Sequence, residues 1–351
     1  RGLFRAAIEQ SGGHGSVSLA EASHLVDDPE PGMAGSSGEV ALTLLAQGQD
    51  ACDRACAKAR LAETDPAALG AALRALSVAD LFALYGQDLL GPNNPAVLRD
   101  GAVLPETPFL ELFSDPARSA PVPMIFGTNR DESKIFMAFD PSQVTRAFGL
   151  PLWPKDPERY DLMAEYSARA WKLRGVDEPA RQRVAGGLPV WTYRWDWDEQ
   201  GRRFGLNVSQ LLGAAHGLEI PFVFDHYDVG GQSGLLYHED NAASRRALAA
   251  QMMGYWGSFA RDLDPGTGGG RGPRWAPFNE AEGIGHLRLD TAPGPEMTPV
   301  AESLEALLAD LAADPRLTSP EARCAVLTNA FRYDQSEALA TGRAVLGCPE
   351  A

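Results

Sequence analysis

Lysine is scarce in this sequence, and negative charge dominates it. Lysine and arginine together number 31 against 47 aspartate and glutamate residues, and only four of the basic residues are lysines. The formal net charge is -16 at pH 7, so the phosphates of nucleic acids and anionic membrane surfaces would repel the chain. Apolar runs also stay well short of the ~18 residues that a transmembrane helix needs. The sequence therefore predicts no nucleic-acid partner and no membrane partner.

Cysteine is too rare for a disulfide scaffold, with four residues in a chain of 351. Cys52 and Cys56 are four positions apart, a spacing that does not favour a bridge between them within a helix. Cys324 and Cys348 either pair across the C-terminal segment or stay as two buried thiols. The redox compartment is left open, and localisation is not predicted because a targeting segment would precede the first residue.

Strand signals alternate with helix signals along most of the chain. Apolar segments of strand length occur at Ala6–Gln10, Val122–Gly127, Pro189–Trp195 and Leu287–Leu289, and the segment at Leu287 is predicted to be the last strand. Strands separated by helices form mostly parallel sheets, so we predict an α/β fold with a mostly parallel central sheet and flanking helices. Residues 1–351 are predicted to be one domain, since large α/β folds reach this length.

Several helices are also predicted. Residues at about 140–187 keep a charged helical periodicity and predict a helical insertion over the sheet. Apolar residues at helical spacing predict a long amphipathic helix over 241–262. A capping side chain followed by proline is typical of a helix start, and such pairs occur at Asp65-Pro66, Thr298-Pro299 and Ser319-Pro320.

Two polar motifs are expected to follow strands and contain residues suited to acid–base chemistry. The first, Gly127–Glu132, reads Gly-Thr-Asn-Arg-Asp-Glu, and the second begins His-Gly-Leu-Glu at His216. The opening segment Arg1–Gly12 ends in Glu-Gln-Ser-Gly. Taken in their order along the chain, the three segments resemble the type-B carboxylesterase/lipase family, the cholinesterase-like branch of the α/β-hydrolases.

The resemblance implies an α/β-hydrolase fold and hydrolysis of small-molecule carboxylic esters. Glu132 would be the acid and His216 the base of a Ser–His–Glu triad, which uses no metal and no organic cofactor. The sequence contains no Gly-x-Ser-x-Gly, the motif that holds the nucleophilic serine in such enzymes. We therefore expect a C-terminal portion whose N-terminal part, with the nucleophile and the oxyanion hole, is missing. Such a piece is expected to be inactive alone; whether it is a truncated gene product, a processed chain or a subunit with a complementing N-terminal segment as partner is left open.

Each site residue has an alternative. Asp131 competes with Glu132 for the role of acid, although a local backbone contact suits it better. Ser11 either donates its hydroxyl to Glu132 from behind or caps a turn, and His14 is a candidate for the substrate pocket. The other histidines lack the strand-then-loop setting of His216; they are His24, His226, His238 and His286.

A second class of function remains open at this stage. Some cholinesterase-like domains lose the nucleophile and act as non-catalytic binding or adhesion domains. The presence of both Glu132 and His216 favours the enzyme. The glycine-rich stretch Gly266–Gly272 lacks the Gly-Lys-Ser/Thr ending of a phosphate loop, and no His/Cys pair has metal-ligand spacing. The sequence does not predict which ester is cleaved.

Overall fold

The computed structural model describes residues 2–47, 50–85, 87–88, 91–92, 96–147, 150–230, 233–299, 301–332 and 337–349. Its strands are β1 (Ala7–Gln10), β2 (Gln87–Asp88), β3 (Gly91–Pro92), β4 (Met124–Asn129), β5 (Val144–Ala147), β6 (Leu150–Pro154), β7 (Val190–Trp195), β8 (Arg202–Arg203), β9 (Leu206–Asn207), β10 (His286–Leu289) and β11 (Glu296–Thr298).

The helices of the first half of the chain are α1 (Leu19–Ser23), α2 (Ser37–Ala46), α3 (Arg54–Glu63), α4 (Pro66–Ala75), α5 (Val78–Leu84), α6 (Phe109–Phe113), α7 (Lys134–Met137) and α8 (Pro157–Lys172). Those that follow are α9 (Glu178–Ala185), α10 (Val208–Leu211), α11 (Ile220–Phe224), α12 (Ser233–Leu236), α13 (Ala242–Asp262), α14 (Leu304–Ala313), α15 (Pro320–Ala330) and α16 (Glu337–Leu346). A π-helical turn, Leu173–Asp177, joins α8 to α9.

The chain divides into two compact units. The first comprises residues 1–14 and 110–351, and the second comprises residues 15–109. In the second unit, α2 to α5 begin at side chains that accept a hydrogen bond from the backbone three residues on: Ser36, Asp53, Asp65 and Ser77. The helix start predicted at Asp65-Pro66 is confirmed. The single domain expected from the sequence stays a prediction.

The central sheet lies in the first unit and has the strand order β1-β4-β7-β10-β11. Its first four strands are parallel and β11 is antiparallel to β10, so the predicted mostly parallel sheet is confirmed. In the register, Gly127 of β4 lies between Gln10 of β1 and Tyr193 of β7. The Tyr193 ring fills the space over Gly127, where an added Cβ atom would lie 1.8 Å from it.

Aromatic side chains and a long helix build the core around this sheet. Trp191 and Trp195 of β7 are buried, as is Trp197 beyond it, so sheet packing accounts for their alternation. The predicted helix over 241–262 is observed as α13, which packs against α11. Within the described residues, no helix is both long and apolar enough to cross a bilayer.

Three sequence expectations differ from the structure. The first part of the expected helical insertion forms the antiparallel hairpin β5–β6, and helix begins only at α8; residues 148 and 149 lie outside the described part. The strand at Leu287 is not the last, because β11 follows it. Thr298 does not start a helix, since it ends β11 and Ser303 caps α14 instead. A proline after a capping residue also fits a strand end, which is why the Thr298-Pro299 signal was wrong.

The cysteines show one bridge. Cys324 and Cys348 form a disulfide, which resolves the alternative left open by the sequence. Cys52 and Cys56 are free thiols, in agreement with their unfavourable spacing.

Candidate active site

Glu132 is the centre of a buried hydrogen-bond cluster at the carboxyl end of the sheet. β4 ends at Asn129, and the turn that follows places the Glu132 side chain out of contact with solvent, at 0% exposure. Its Oε1 atom accepts hydrogen bonds from the Thr128 hydroxyl at 2.8 Å and from the Asn129 backbone N–H at 2.7 Å. Donors on the strand and on the turn that follows it hold the carboxylate in one orientation.

His216 lies directly beside this carboxylate, although the two residues are 84 positions apart. Its Nδ1 atom is 2.8 Å from Glu132 Oε2, and its backbone N–H donates to the Glu132 carbonyl at 3.3 Å. An Nδ1 proton directed at a carboxylate leaves Nε2 as the free base of the neutral ring. The hydrogen bond that His216 donates to Glu132 raises the pKa of His216 above its usual value, and burial only partly opposes this. The side chain is 36% exposed, so a reactant can reach it.

Ser11 completes the cluster from the neighbouring strand. Its hydroxyl donates to Glu132 Oε1 at 2.5 Å, and the side chain is buried. The parallel register of β1 and β4 positions it, and its backbone N–H continues the ladder to the Gly127 carbonyl at 2.7 Å. Ser11 has a φ of 55°, a left-handed conformation that costs a non-glycine residue about 1–2 kcal/mol. The structure thus places Ser11, Glu132 and His216 together, while their chemical roles remain predictions.

Asp131, the competing acid, is directed elsewhere. Its Oδ2 atom accepts hydrogen bonds from the Ala214 backbone N–H at 3.0 Å and from Arg130 at 2.7 Å, and Lys134 lies 3.3 Å from Oδ1. Burial alone would raise the pKa of Asp131, but these cations and the backbone donor outweigh it, so the pKa lies below the usual value. Asp131 therefore joins two loops and does not contact His216 through any hydrogen bond or ion pair of the described residues.

His14, the weaker substrate-pocket candidate, packs within the first unit. Its Nε2 atom lies 3.1 Å from Glu9 Oε2, and its ring contacts Phe113 and Phe126 edge-on at 5.0 and 5.8 Å between centroids. Only 8% of its side chain is exposed. A place in a substrate pocket stays a prediction for this residue.

A second buried carboxyl group, Glu219, lies beneath the first and was not singled out from the sequence. Gln10 donates to Glu219 Oε1 at 3.0 Å, and the Asn129 side chain donates to Oε2 at 2.6 Å. Burial raises the pKa of Glu219, and the nearby Glu132 charge adds to this rise. Asn129 thus joins both acids, through its backbone to Glu132 and through its side chain to Glu219. The available signal was the fourth position of the His-Gly-Leu-Glu motif.

Two aromatic rings border His216. The ring centroids of Trp171 and Phe136 lie 5.1 and 5.6 Å from the imidazole centroid. The two rings are themselves stacked with an interplanar angle of 2° and centroids 6.1 Å apart. The local sequence did not predict that these two rings border His216. Trp171 belongs to the periodicity of a helix, and Phe136 lies four positions after Glu132.

A polar cavity of about 620 Å³ lies next to the acid loop without including Glu132 or His216. Asn129 and Asp131 line it, together with charged side chains that pair with one another, such as Lys134 with Asp161 and Arg169 with Glu302. Its opposite charges are satisfied internally, so it does not compete with the Glu132–His216 pair as a reactive centre. Among the described residues, no three His, Cys, Asp or Glu side chains are grouped to hold a metal ion.

Comparisons with known proteins point in one direction. The model of the carboxylesterase family matches residues 155–305. The cocaine esterase of Homo sapiens is 27% identical over 326 residues, which cover 84% of this chain and 51% of that protein. The para-nitrobenzyl esterase of Bacillus subtilis (strain 168) is 26% identical over 223 residues, or 59% of this chain and 40% of that protein. The chain thus spans about half the length, or less, of these relatives.

Solved structures add a likeness of fold. The carboxylesterase EST55 of Geobacillus stearothermophilus superposes with a TM-score of 0.50 at 22% identity, covering 88% of this chain and 58% of that one. At this level of identity the likeness concerns the fold alone, and it agrees with the parallel sheet described above.

Proposed function

We propose that this chain, which is similar to the type-B carboxylesterases, supplies the acid and the base of an ester hydrolase. Glu132 is the proposed acid and His216 the proposed base of a Ser–His–Glu triad. The nucleophilic serine and the oxyanion donors are proposed to come from a segment outside these 351 residues. The substrate class is carboxylic esters of small molecules.

One observation carries the proposal: a buried carboxylate 2.8 Å from the Nδ1 atom of a partly exposed histidine. This is the arrangement that turns an imidazole into a general base for a hydroxyl nucleophile. The carboxylate fixes the tautomer with its proton on Nδ1. Because Glu132 is buried and held by three further donors, it stabilises the imidazolium without moving when the charge forms.

The proposed reaction has two halves. His216 Nε2 takes the proton of the serine hydroxyl as its oxygen attacks the ester carbonyl, and the alcohol leaves with that proton. A water molecule then loses a proton to Nε2 and attacks the acyl-enzyme, which releases the carboxylic acid and returns the proton to the serine. Glu132 keeps its hydrogen bond to Nδ1 throughout. This chemistry requires neither a metal nor an organic cofactor.

The edge of β1 supports the proposal of a complementing segment. β1 pairs with β4 along one side, and no described strand pairs with its other side. The carboxyl ends of parallel strands meet at the same edge of a sheet. A parallel strand added next to β1 would therefore end at the level of Ser11, Glu132 and His216. A turn that follows it would be well placed to present a nucleophile to His216 Nε2.

The test compares three samples on 4-nitrophenyl acetate: this chain, the protein with a nucleophile-bearing N-terminal segment supplied, and a His216→Ala version of the latter. We expect the chain alone to hydrolyse no more ester than free imidazole at the same concentration. The completed protein should show saturable turnover that a serine-directed organophosphate blocks stoichiometrically, and His216→Ala should remove it.

Two outcomes would contradict the proposal. Organophosphate-sensitive turnover by the chain alone would mean that a nucleophile is present among these residues. A completed, folded protein that cleaves no nitrophenyl ester would contradict ester hydrolysis itself.

A further inference from the structure

A π-helical turn interrupts the helical segment that borders the site. After α8, the Glu178 backbone N–H donates to the Leu173 carbonyl five residues earlier, before α9 continues. π-Helical residues make up well under ~1% of globular proteins, and single π turns occur frequently at functional sites. This turn begins two residues after Trp171, whose ring contacts His216.

A buried ion pair spans the π-helical turn. Lys172 Nζ lies 2.5 Å from Asp177 Oδ2, and the five-residue spacing of the pair is that of one π-helical hydrogen bond. The two side chains are only 3% and 1% exposed. Asp177 Oδ2 also accepts the Glu302 backbone N–H at 2.6 Å, which ties the turn to the segment before α14. Desolvating such a pair is costly, and here the pair spans the residues of the widened turn.

At Gly175, the turn lies close to the loop that contains Ser11. A Cβ atom at position 175 would lie 2.7 Å from the Gly12 carbonyl oxygen and 3.4 Å from the Trp171 ring. Gly12 directly follows Ser11, whose hydroxyl binds Glu132. A side chain at 175 would have to displace one of these neighbours, because a backbone carbonyl cannot rotate away as a flexible side chain can.

Trp171, near the end of α8, contacts the other member of the pair, His216. It is the second-last residue of α8, and its ring packs against His216 at 5.1 Å between centroids. Phe136 supports the ring from behind by parallel stacking. The turn thus approaches Gly12, the neighbour of Ser11, through Gly175, and Trp171, two residues before the turn, contacts His216 directly.

We propose that the π-helical turn 173–177 is a positioning element that sets the contact between Glu132 and His216, with Gly175 and Trp171 as its two points of action. Both residues act through neighbours and not on a substrate. The catalytic meaning of this role rests on the proposed function, whereas its structural effect can be measured on the chain alone.

The first experiment titrates His216 by NMR in the 351-residue chain, with histidine labelled at Cε1 and the signal assigned by its loss in His216→Gln. The charged groups that face this ring are Glu132 and Glu219, and Trp171 and Phe136 face it as rings. A loosened contact weakens the Glu132 hydrogen bond, so Gly175→Ala should lower the apparent pKa of His216 by roughly half a unit or more. Gly257→Ala, in α13 where an added Cβ meets nothing within 4 Å, should leave it unchanged.

A second pair of variants keeps the test decisive if Gly175→Ala does not fold. Trp171→Leu removes the ring from His216 and should move the apparent pKa of His216 away from the parent value, whereas Trp171→Phe should restore most of the parent value. Unchanged His216 titration in folded Gly175→Ala, or in folded Trp171→Leu where Gly175→Ala does not fold, would overturn the proposal.

Activity of the completed protein separates this proposal from the proposed function. Gly175→Ala should lower kcat on the order of 10- to 100-fold with little change in KM, since a misplacement of about 1 Å has that effect on reacting groups. A completed protein without esterase activity would count against the proposed function alone, because the NMR titration still decides the role of the turn.

Discussion

Glu132 and His216 are joined twice, by their side chains at 2.8 Å and by a backbone hydrogen bond from the His216 N–H to the Glu132 carbonyl at 3.3 Å. The second bond does not depend on the carboxylate or on the protonation of the ring. A substitution at either side chain therefore removes the chemistry and leaves the two loops next to each other. This separation allows mutations to be interpreted as effects on function.

The first prediction concerns turnover of the completed protein. His216→Ala should lower kcat by about 10⁴-fold or more, because only binding and the oxyanion donors would remain. Glu132→Gln should cost less, since the base stays in place through the backbone bond. Asp131→Asn is the matched control and should change kcat little. Steady-state kinetics on a nitrophenyl ester checks all three, and a harmless Glu132→Gln beside a crippling Asp131→Asn would mean that the acid is misassigned.

The second prediction is a pH dependence. The Glu132 hydrogen bond raises the pKa of His216, and the base works only in its neutral form. The acidic limb of kcat/KM should therefore lie above the ordinary histidine value of about 6.5. Glu132→Gln should move that limb to lower pH. A limb that is at or below the ordinary value in the parent, and that does not move in the variant, would contradict the assignment.

The same shift predicts how stability changes with pH. A folded-state pKa above the unfolded value means that the protonated ring binds Glu132 more strongly than the neutral one. The resulting stabilisation is fully present below about pH 6.5 and is lost as the pH rises through the folded-state pKa. We expect the Tm difference between the parent and His216→Gln to shrink over that window. A difference that grows with pH would have the wrong sign.

Ser11 offers a paired test of hydrogen bonding and backbone strain. Ser11→Ala removes the hydroxyl from a buried carboxylate, and we expect a loss of about 1.5–3 kcal/mol in the free energy of unfolding. Ser11→Gly removes the same hydroxyl but relieves the left-handed φ of 55°, so it should be about 1 kcal/mol more stable than Ser11→Ala. Urea denaturation measures both. Equal stabilities for the two variants would show that the backbone at Ser11 is not strained.

Gly127 is predicted to tolerate no side chain. Its Cβ would meet the Tyr193 ring of the adjacent strand at 1.8 Å, so Gly127→Ala should lower the free energy of unfolding by about 3 kcal/mol. Gly257→Ala, with open space around its Cβ, should be neutral or gain up to about 1 kcal/mol. Comparable destabilisation by the two substitutions in denaturant melts would contradict the close approach of β4 and β7.

The pairing of Glu132 with His216 was predictable from two short motifs and the family they resemble; Glu132 does follow β4, but His216 follows α10 and not a strand. For Ser11 the sequence left a contact to Glu132 and a turn cap as alternatives, and the register of β1 and β4 brings its hydroxyl to Glu132. The start of α4 at Asp65-Pro66 was also predictable, because a cap and a first-turn proline act locally. These features depend on a few consecutive residues or on strand order alone.

Other features depended on contacts that no local pattern encodes. Trp171 packs on His216 from the end of α8, and a π turn follows that contains Asp177, the buried partner of Lys172. The hairpin β5–β6 interrupts what charge periodicity predicted as helix, since tertiary packing overrides weak propensities. From the sequence, Glu219 was only a position in a motif. Its surroundings as a buried acid come from tertiary contacts, such as the hydrogen bonds from Gln10 and Asn129.

The hydrogen bonds around Glu132 have a consequence for folding kinetics. Its donors come from residues 3 and 4 positions away, but also from residues 84 and 121 positions away. Contacts between residues far apart in the sequence require a long loop to close, which costs entropy before the contact contributes to stability. Such contacts therefore form late. The imidazole of His216 therefore gains its carboxylate partner only after β1, β4 and the loop at 213–219 have assembled. An incompletely folded chain would contain the same residues without an oriented base.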